Sequence, residues 1–215
     1  MAIKVGINGF GRIGRMVLRS IVENNRKDID VVAINNRAKS EVSNFLLKHD
    51  TVHGKFEAKL NHSDQSLDVN GKKIAMMHES EISKIDWKKH KVDIVLECTG
   101  KFNTKEKSAQ HIKSGVGKVL VSAPCKGAIN VVFGVNHNIL KKSDQVISAA
   151  SCTTNCLAPV AHVINEEFGI ERGFMTTIHS YTTDQRLLDN SHKDLRRARS
   201  APNSIIPTTT GATKS

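Results

Sequence analysis

The run Ser148-Ala149-Ala150-Ser151-Cys152-Thr153-Thr154-Asn155-Cys156 puts a thiol, Cys152, after a small-residue strand end and in the first turn of an expected helix. A thiol there feels the positive end of the helix dipole, which favours thiolate. Backbone N–H groups at the same place can stabilise an oxyanion. Such a nucleophile still needs a base. His179, in Thr176-Thr177-Ile178-His179-Ser180-Tyr181, follows an expected strand that can run beside the helix, and a Cys–His pair is a general arrangement for covalent catalysis. Each residue alone also has an ordinary reading, a buried structural cysteine or a satisfied core histidine. Cys156, one turn further in, suits the inert role. No second Cys or His pair follows at finger spacing, so the sequence supports no zinc site and no other metal.

A second group points to a dinucleotide. Asn8-Gly9-Phe10-Gly11-Arg12-Ile13-Gly14 carries G-x-G-x-x-G at Gly9, Gly11 and Gly14, after an expected strand and opening an expected helix. The first glycine permits a tight turn, the second lets backbone approach a pyrophosphate, and the third lets helix pack on strand. The helix N-terminus supplies N–H groups and a positive dipole end. The pattern expects a carboxylate about 20 residues on, for the ribose, but this chain has Asn35-Asn36-Arg37 there. Asparagine can bond a ribose hydroxyl without repelling a 2′-phosphate, and Arg37 and Lys39 are placed to attract one.

The elements that must position these groups alternate. Strands are expected at Ile3–Asn8, Val31–Ile34, Val92–Glu97, Lys118–Ser122, Ile129–Gly134 and Gln145–Ser148. Helices are expected at Arg12–Glu23, Val42–Leu47 and Thr104–Ile112, and a hairpin turns at Asn70-Gly71. This alternation predicts a Rossmann-type, doubly wound, mostly parallel sheet. The character changes near Ser151-Cys152, where a helix runs to about Phe168, then a strand at Phe174–Ile178 and a polar stretch from Ser180 to Asn203. We therefore expect a dinucleotide-binding domain over 1–151 and the start of an α+β catalytic domain over 152–215.

The 215 residues are 39% hydrophobic, enough for a real core, and carry a net charge of +11. That balance suits phosphorylated ligands, dinucleotides or nucleic acid. The basic residues are scattered, apart from Lys88-Lys89 and Arg196-Arg197-Ala198-Arg199, and aromatics at 4% offer few stacking platforms for bases. No apolar run is long enough to span a membrane, and no secretory signal is readable. The four cysteines are expected to be free thiols.

Taken in order, Asn8–Arg15, Ser151–Pro159, His179-Ser180-Tyr181-Thr182 and Ile206–Ala212 resemble phosphorylating glyceraldehyde-3-phosphate dehydrogenase, and the resemblance runs from Ala2 to Ser215. It implies an NAD(P)-dependent oxidoreductase of glycolysis and gluconeogenesis, taking glyceraldehyde 3-phosphate and inorganic phosphate to 1,3-bisphosphoglycerate through a cysteine thioester. By that resemblance Cys152 is the nucleophile and His179 its base. Gly9, Gly11, Arg12, Ile13, Asn36, Thr99, Gly100 and Ser122 contact the cofactor. Thr182 belongs to the pocket for the substrate phosphate. Ser151, Thr153, Thr210 and Gly211 belong to the site for the attacking phosphate, with Arg197 beside both. The resemblance further implies a cytoplasmic homotetramer in which the stretch from about Tyr181 to Asn203 lines a subunit contact.

Three departures bear on the cofactor. Asn36 stands where NAD-specific members usually carry aspartate, Asn190-Ser191 where leucine-proline is frequent, and Ser80 where an arginine is found near the adenine side. NADP is thus an expected second cofactor. Full members continue past Ser215, so the resemblance implies a truncated chain lacking further strands, a second substrate-phosphate arginine and a long C-terminal helix. Apolar surface is then expected to be exposed where those would sit. Two other readings stand beside this one: the sister enzyme acting on erythrose 4-phosphate, and a fragment that binds dinucleotide without turnover. Nucleic-acid binding is expected to be secondary at most.

Overall fold

The computed structural model describes residues 1–212; the last three positions of the expected second domain lie outside the described residues. The chain divides into two compact units, Met1–Ala150 and a second beginning at Ser151.

In the first unit, β1 (Ile3–Asn8) leads through the glycine turn into α1 (Arg12–Glu23), then β2 (Ile29–Asn35) and α2 (Ser40–Lys48). Two short strands, β3 (His49–Asp50) and β4 (Gly54–Lys55), form a small separate ribbon. Next come β5 (Leu60–Ser63), β6 (Ser66–Val69), β7 (Lys72–Met77), β8 (Ile94–Glu97), α3 (Lys105–Ser108) and α4 (Gln110–Lys113). The unit ends with β9 (Lys118–Val121), β10 (Ile129–Asn130) and β11 (Val146–Ser148). The main sheet has the order β10-β11-β9-β8-β1-β2-β7-β6-β5. Pairing is parallel from β10 across to β7, and antiparallel for β7-β6-β5 at one edge. The order reverses between β1 and β8, which is the place where doubly wound sheets open a crevice at their strand C-termini.

The Asn70-Gly71 hairpin joins β6 to β7, with φ of 55° and 83°, the left-handed pair that a two-residue hairpin turn demands. Ile7, Leu18, Ile34, Leu47 and Leu67 form the heart of the core around the β1–β2 side of the sheet. Trp87 and Val95 anchor a second cluster.

Three sequence expectations need correction. The helix over Thr104–Ile112 is two four-residue helices meeting at Ala109. The strand expected at Ile129–Gly134 stops at Asn130, because Val132 and Gly134 bond into a local turn with Asn136 and His137 instead. The strand expected at Phe174–Ile178 is absent. A strand forms only beside a partner backbone, and among the described residues of the second unit no extended segment is paired with it.

The second unit consists of α5 (Cys152–Phe168) and a long irregular segment with two 3₁₀ turns, Leu195–Ala198 and Ala201–Asn203. Ser151 caps α5 by accepting from the Thr154 N–H at 3.0 Å. Among the described residues of this unit only Thr154, Ala201 and Ala212 are buried. Val160, Val163, Phe168, Phe174 and Ile178 stand exposed.

Candidate active site and dinucleotide cleft

The expected nucleophile and base meet in the second unit. Cys152 Sγ lies 3.1 Å from His179 Nε2. The ring is aimed by its own neighbour: His179 Nδ1–H donates to the Ser180 carbonyl at 2.6 Å, which leaves Nε2 for the sulfur. Both residues are exposed. The Cys152 thiol is held below its ordinary value, first by the hydrogen bond with His179, against the opposing effect of partial burial; the charge of His179 and bonds from the Thr153 hydroxyl and N–H lower it further. His179 is raised, first by the Ser180 carbonyl and next by Cys152. The two shifts favour a thiolate–imidazolium pair, the form that attacks a carbonyl.

The other thiols differ. Burial pushes Cys98 up to about 11, with the Ser122 hydroxyl opposing, and burial also raises Cys125. Cys156 is exposed rather than tucked inward. All four are free, and among the described residues no group of three metal-ligating side chains forms.

The residues assigned to phosphate binding are placed unevenly. Arg197 donates from Nε to Thr208 Oγ1 at 3.0 Å and from Nη2 to the Thr209 carbonyl at 3.2 Å, and forms an ion pair with Asp184. Its guanidinium is therefore ordered beside the threonine run rather than loose. Thr210 Oγ1 accepts from the Ala212 N–H at 3.2 Å. Gly211 has open space where a Cβ would sit. Ser151 spends its hydroxyl on the cap and on Thr154 Oγ1 at 2.7 Å. Thr153 lies against Sγ. Among the described residues, Thr182, Thr210 and Gly211 share no hydrogen bond with Cys152 or His179.

In the first unit a cavity of ≈ 240 Å³ opens at the C-terminal ends of β1, β2 and β8. Gly9, Gly11, Asn36 and Thr99, all expected there, line it. So do Asn8, Asn35, Glu79, Lys101 and Phe102, which the sequence reading did not assign as contacts. For Asn8 and Asn35 the only signal was position, at or just after the end of an expected strand; Glu79, Lys101 and Phe102 carried none. Arg12, Ile13, Gly100 and Ser122 are not among its lining residues. Arg12 is engaged by Asp50, Nη1 to Oδ2 at 2.5 Å and Nη2 to Oδ1 at 3.2 Å. That pairing, with N–H bonds from His53 and Val52, holds the Asp50 carboxyl well below the usual carboxylate range. Gly100 takes φ +70°.

The three fingerprint glycines separate by cause. A Cβ on Gly14 would lie 2.3 Å from the Gly9 carbonyl oxygen, and one on Gly9 would lie 2.8 Å from the Thr99 nitrogen. Packing within the chain demands both. Gly11 has φ −74° and nothing within 4 Å of its Cβ position. Neither strain nor packing within the chain requires glycine there. The N-terminus of α1 has no side-chain cap and no acidic residue in its first turn. Free N–H groups beside an open glycine fit a pyrophosphate.

Asn36 stands at the rim in place of a carboxylate. Its Nδ2 donates to Ser43 Oγ at 3.1 Å, and its backbone is fixed by Met77 and His78. Arg37 and Ser80 share that rim. Among the described residues no helix is long and apolar enough to cross a membrane.

Comparison with known proteins identifies the family. Residues 3–105 match the family model described as glyceraldehyde 3-phosphate dehydrogenase, NAD binding domain, and residues 151–215 match the model of that family's C-terminal domain. The chain is 54% identical over 215 residues to a glyceraldehyde-3-phosphate dehydrogenase of Cereibacter sphaeroides, and 53% identical over 216 residues to that of Geobacillus stearothermophilus. A Pseudomonas aeruginosa relative of the same name is 52% identical over 214 residues. These alignments take in 99–100% of this chain and 64% of each relative's length. The two family models and the continuous identity place the chain in the glyceraldehyde 3-phosphate dehydrogenase family.

Proposed function

We propose that the chain carries the dinucleotide cleft and the nucleophile of a phosphorylating glyceraldehyde-3-phosphate dehydrogenase. The observation that carries this reading is the 3.1 Å contact between Cys152 and His179, with the ring held by the Ser180 carbonyl. Cys152 Sγ, as thiolate, attacks the aldehyde carbon of glyceraldehyde 3-phosphate while the imidazolium Nε2–H of His179 gives its proton to the carbonyl oxygen, forming a hemithioacetal and leaving Nε2 free. His179 Nε2 accepts the hydroxyl proton as hydride departs, leaving a thioester on Cys152. NAD, when bound, supplies the hydride acceptor. Inorganic phosphate then attacks the thioester carbonyl, the acyl phosphate leaves, and Cys152 returns as thiolate. His179 keeps that thiolate paired between turnovers.

Thr182 and Arg197 serve the two phosphates, with Ser151, Thr153, Thr210 and Gly211 around the attacking one; their support is the resemblance and the ordered Arg197 guanidinium. Gly9, Gly11, Arg12, Ile13, Asn36, Thr99, Gly100 and Ser122 serve the cofactor. With Asn36 replacing a carboxylate, NADP is a second cofactor. The domain division is 1–151 for the cofactor and 152–215 for the start of the catalytic part. The working protein is a cytoplasmic homotetramer, and a chain of 64% of the relatives' length binds dinucleotide but turns over weakly or not at all.

The test is NADH formation from glyceraldehyde 3-phosphate, NAD and inorganic phosphate, in a form extended to the relatives' full length. Cys152→Ser should abolish turnover and retain dinucleotide binding. Faster turnover of erythrose 4-phosphate than of the triose would overturn the substrate assignment.

A further inference from the structure

Glu97 is 1% exposed at the C-terminal end of β8, and four hydrogen-bond chains end on its carboxylate. The first starts at the Glu79 N–H, which donates to Asn35 Oδ1 at 2.9 Å. Asn35 Nδ2 then donates to Asn8 Oδ1 at 2.8 Å, and Asn8 Nδ2 to Glu97 Oε2 at 2.6 Å. The second starts at the Trp87 indole, which donates to His111 Nδ1 at 3.0 Å and leaves Nε2–H to donate to Glu97 Oε2 at 3.0 Å. The third is the Thr99 N–H, 2.8 Å from Glu97 Oε1. The fourth starts at the Lys101 N–H, which donates to Thr99 Oγ1 at 3.1 Å; that hydroxyl donates on to Glu97 Oε1 at 2.5 Å.

Each chain begins at a group that can only donate: three backbone N–H groups and one indole. No amide flip and no change of histidine tautomer can reverse them. Four converging donors need a group that only accepts, and an ionised carboxylate is the one side chain of this size that does so. The glutamine amide has the same shape, but in either orientation it presents N–H groups to donors, to Asn8 and His111 or to the Thr99 N–H and hydroxyl.

The network joins the ends of β1, β2 and β8 to the segments after β7 and β8. Asn8, Asn35, Glu79, Thr99 and Lys101 belong to it and line the cleft. We propose that Glu97 is a positioning residue for dinucleotide binding: it fixes the cleft lining by terminating all four donor chains, without itself touching the ligand. This rests on the reading of the cleft as a dinucleotide site.

The experiment measures NAD dissociation constants by calorimetry, with thermal unfolding alongside, for the 215-residue chain, Glu97→Gln, and Glu97→Gln combined with Asn8→Asp. The double change moves the carboxylate to position 8. There it can accept from Asn35 and from the new amide, and it lies near His111 Nε2, which is 3.5 Å from the present Asn8 Nδ2. Glu97→Gln should weaken NAD binding by roughly 10- to 100-fold, the consequence of opposed buried donors. The double variant should recover most of that loss, which a purely structural role for the shape of Glu97 does not predict. Unchanged affinity in Glu97→Gln overturns the proposal. If Glu97→Gln fails to fold, the double variant decides alone, and its failure to fold and bind overturns the convergence argument. Absence of NAD binding by the parent chain instead overturns the dinucleotide reading, and the proposal with it.

Discussion

Replacing His179 with asparagine removes the group that does most to lower the Cys152 thiol. The separation is 3.1 Å and both side chains are exposed, so the attraction belongs near the water limit, about 1 kcal/mol. Losing it cuts the thiolate population at pH 7 by roughly five- to tenfold. The thiolate that remains is more basic and therefore about threefold more nucleophilic. The net alkylation rate at pH 7 should then fall only about two- to threefold. The midpoint of the pH–rate curve is the sharper signal. A lowered thiol stays reactive as pH falls below the ordinary cysteine range, and the variant should lose that extension, its midpoint moving up. The assay is iodoacetamide labelling between pH 5 and 9 read by peptide mass spectrometry, which also ranks Cys152 against Cys98, Cys125 and Cys156. An unmoved midpoint in His179→Asn, or equal labelling of all four thiols in the folded chain, would refute the reasoning.

The fingerprint glycines give a paired test. Gly14→Ala drives a methyl against the Gly9 carbonyl and should lower stability by about 1–3 kcal/mol, while Gly11→Ala meets nothing in the chain and should leave the melting temperature unchanged but weaken NAD binding. Equal effects of the two on melting would show that Gly11 serves the fold. Asp50→Asn should cost stability at pH 7, discounted for the half-exposed Arg12 to roughly 0.5–1 kcal/mol. Because the Asp50 carboxyl is depressed when folded, that contribution is complete above about pH 4 and fades below it, so urea unfolding at pH 7 and pH 2.5 should show the variant's deficit shrinking; a deficit that grows with acid would exclude the ion pair as its cause. Asn36→Asp should raise the ratio of NAD to NADP affinity, chiefly by repelling the 2′-phosphate, and calorimetry with both dinucleotides checks it; a parent that already rejects NADP as strongly would place specificity elsewhere.

Much of the first unit was legible because its determinants are local. The period-two and glycine patterns around β1 and α1, and the Asn70-Gly71 turn, are properties of a few consecutive residues. The left-handed φ values and the clash at Gly14 are what those residues were expected to provide. Where the Thr104–Ile112 helix breaks, the Ile112 N–H bonds the Ala109 carbonyl three residues back, a local turn that propensity does not register.

The sequence by itself determined the chemistry on offer: a thiol at a capped helix start, a histidine 27 positions on, and a glycine turn before a helix. Spacing of that kind is set by covalent connectivity and helix geometry, so it can be read directly. Only the tertiary structure decided which atoms meet. It aimed His179 Nε2 at Cys152 by committing Nδ1 to Ser180, and it committed Arg12 to Asp50 rather than to the cleft lining. It left Phe174–Ile178 without a strand, since an extended segment has no hydrogen bonds of its own and takes them from a neighbour. It also converged four donor chains from distant segments on Glu97, a position that in the sequence is merely the end of an apolar run. Hydrogen-bond direction depends on what every partner further along the chain can accept, and that is a property of the assembled network, absent from any stretch of sequence.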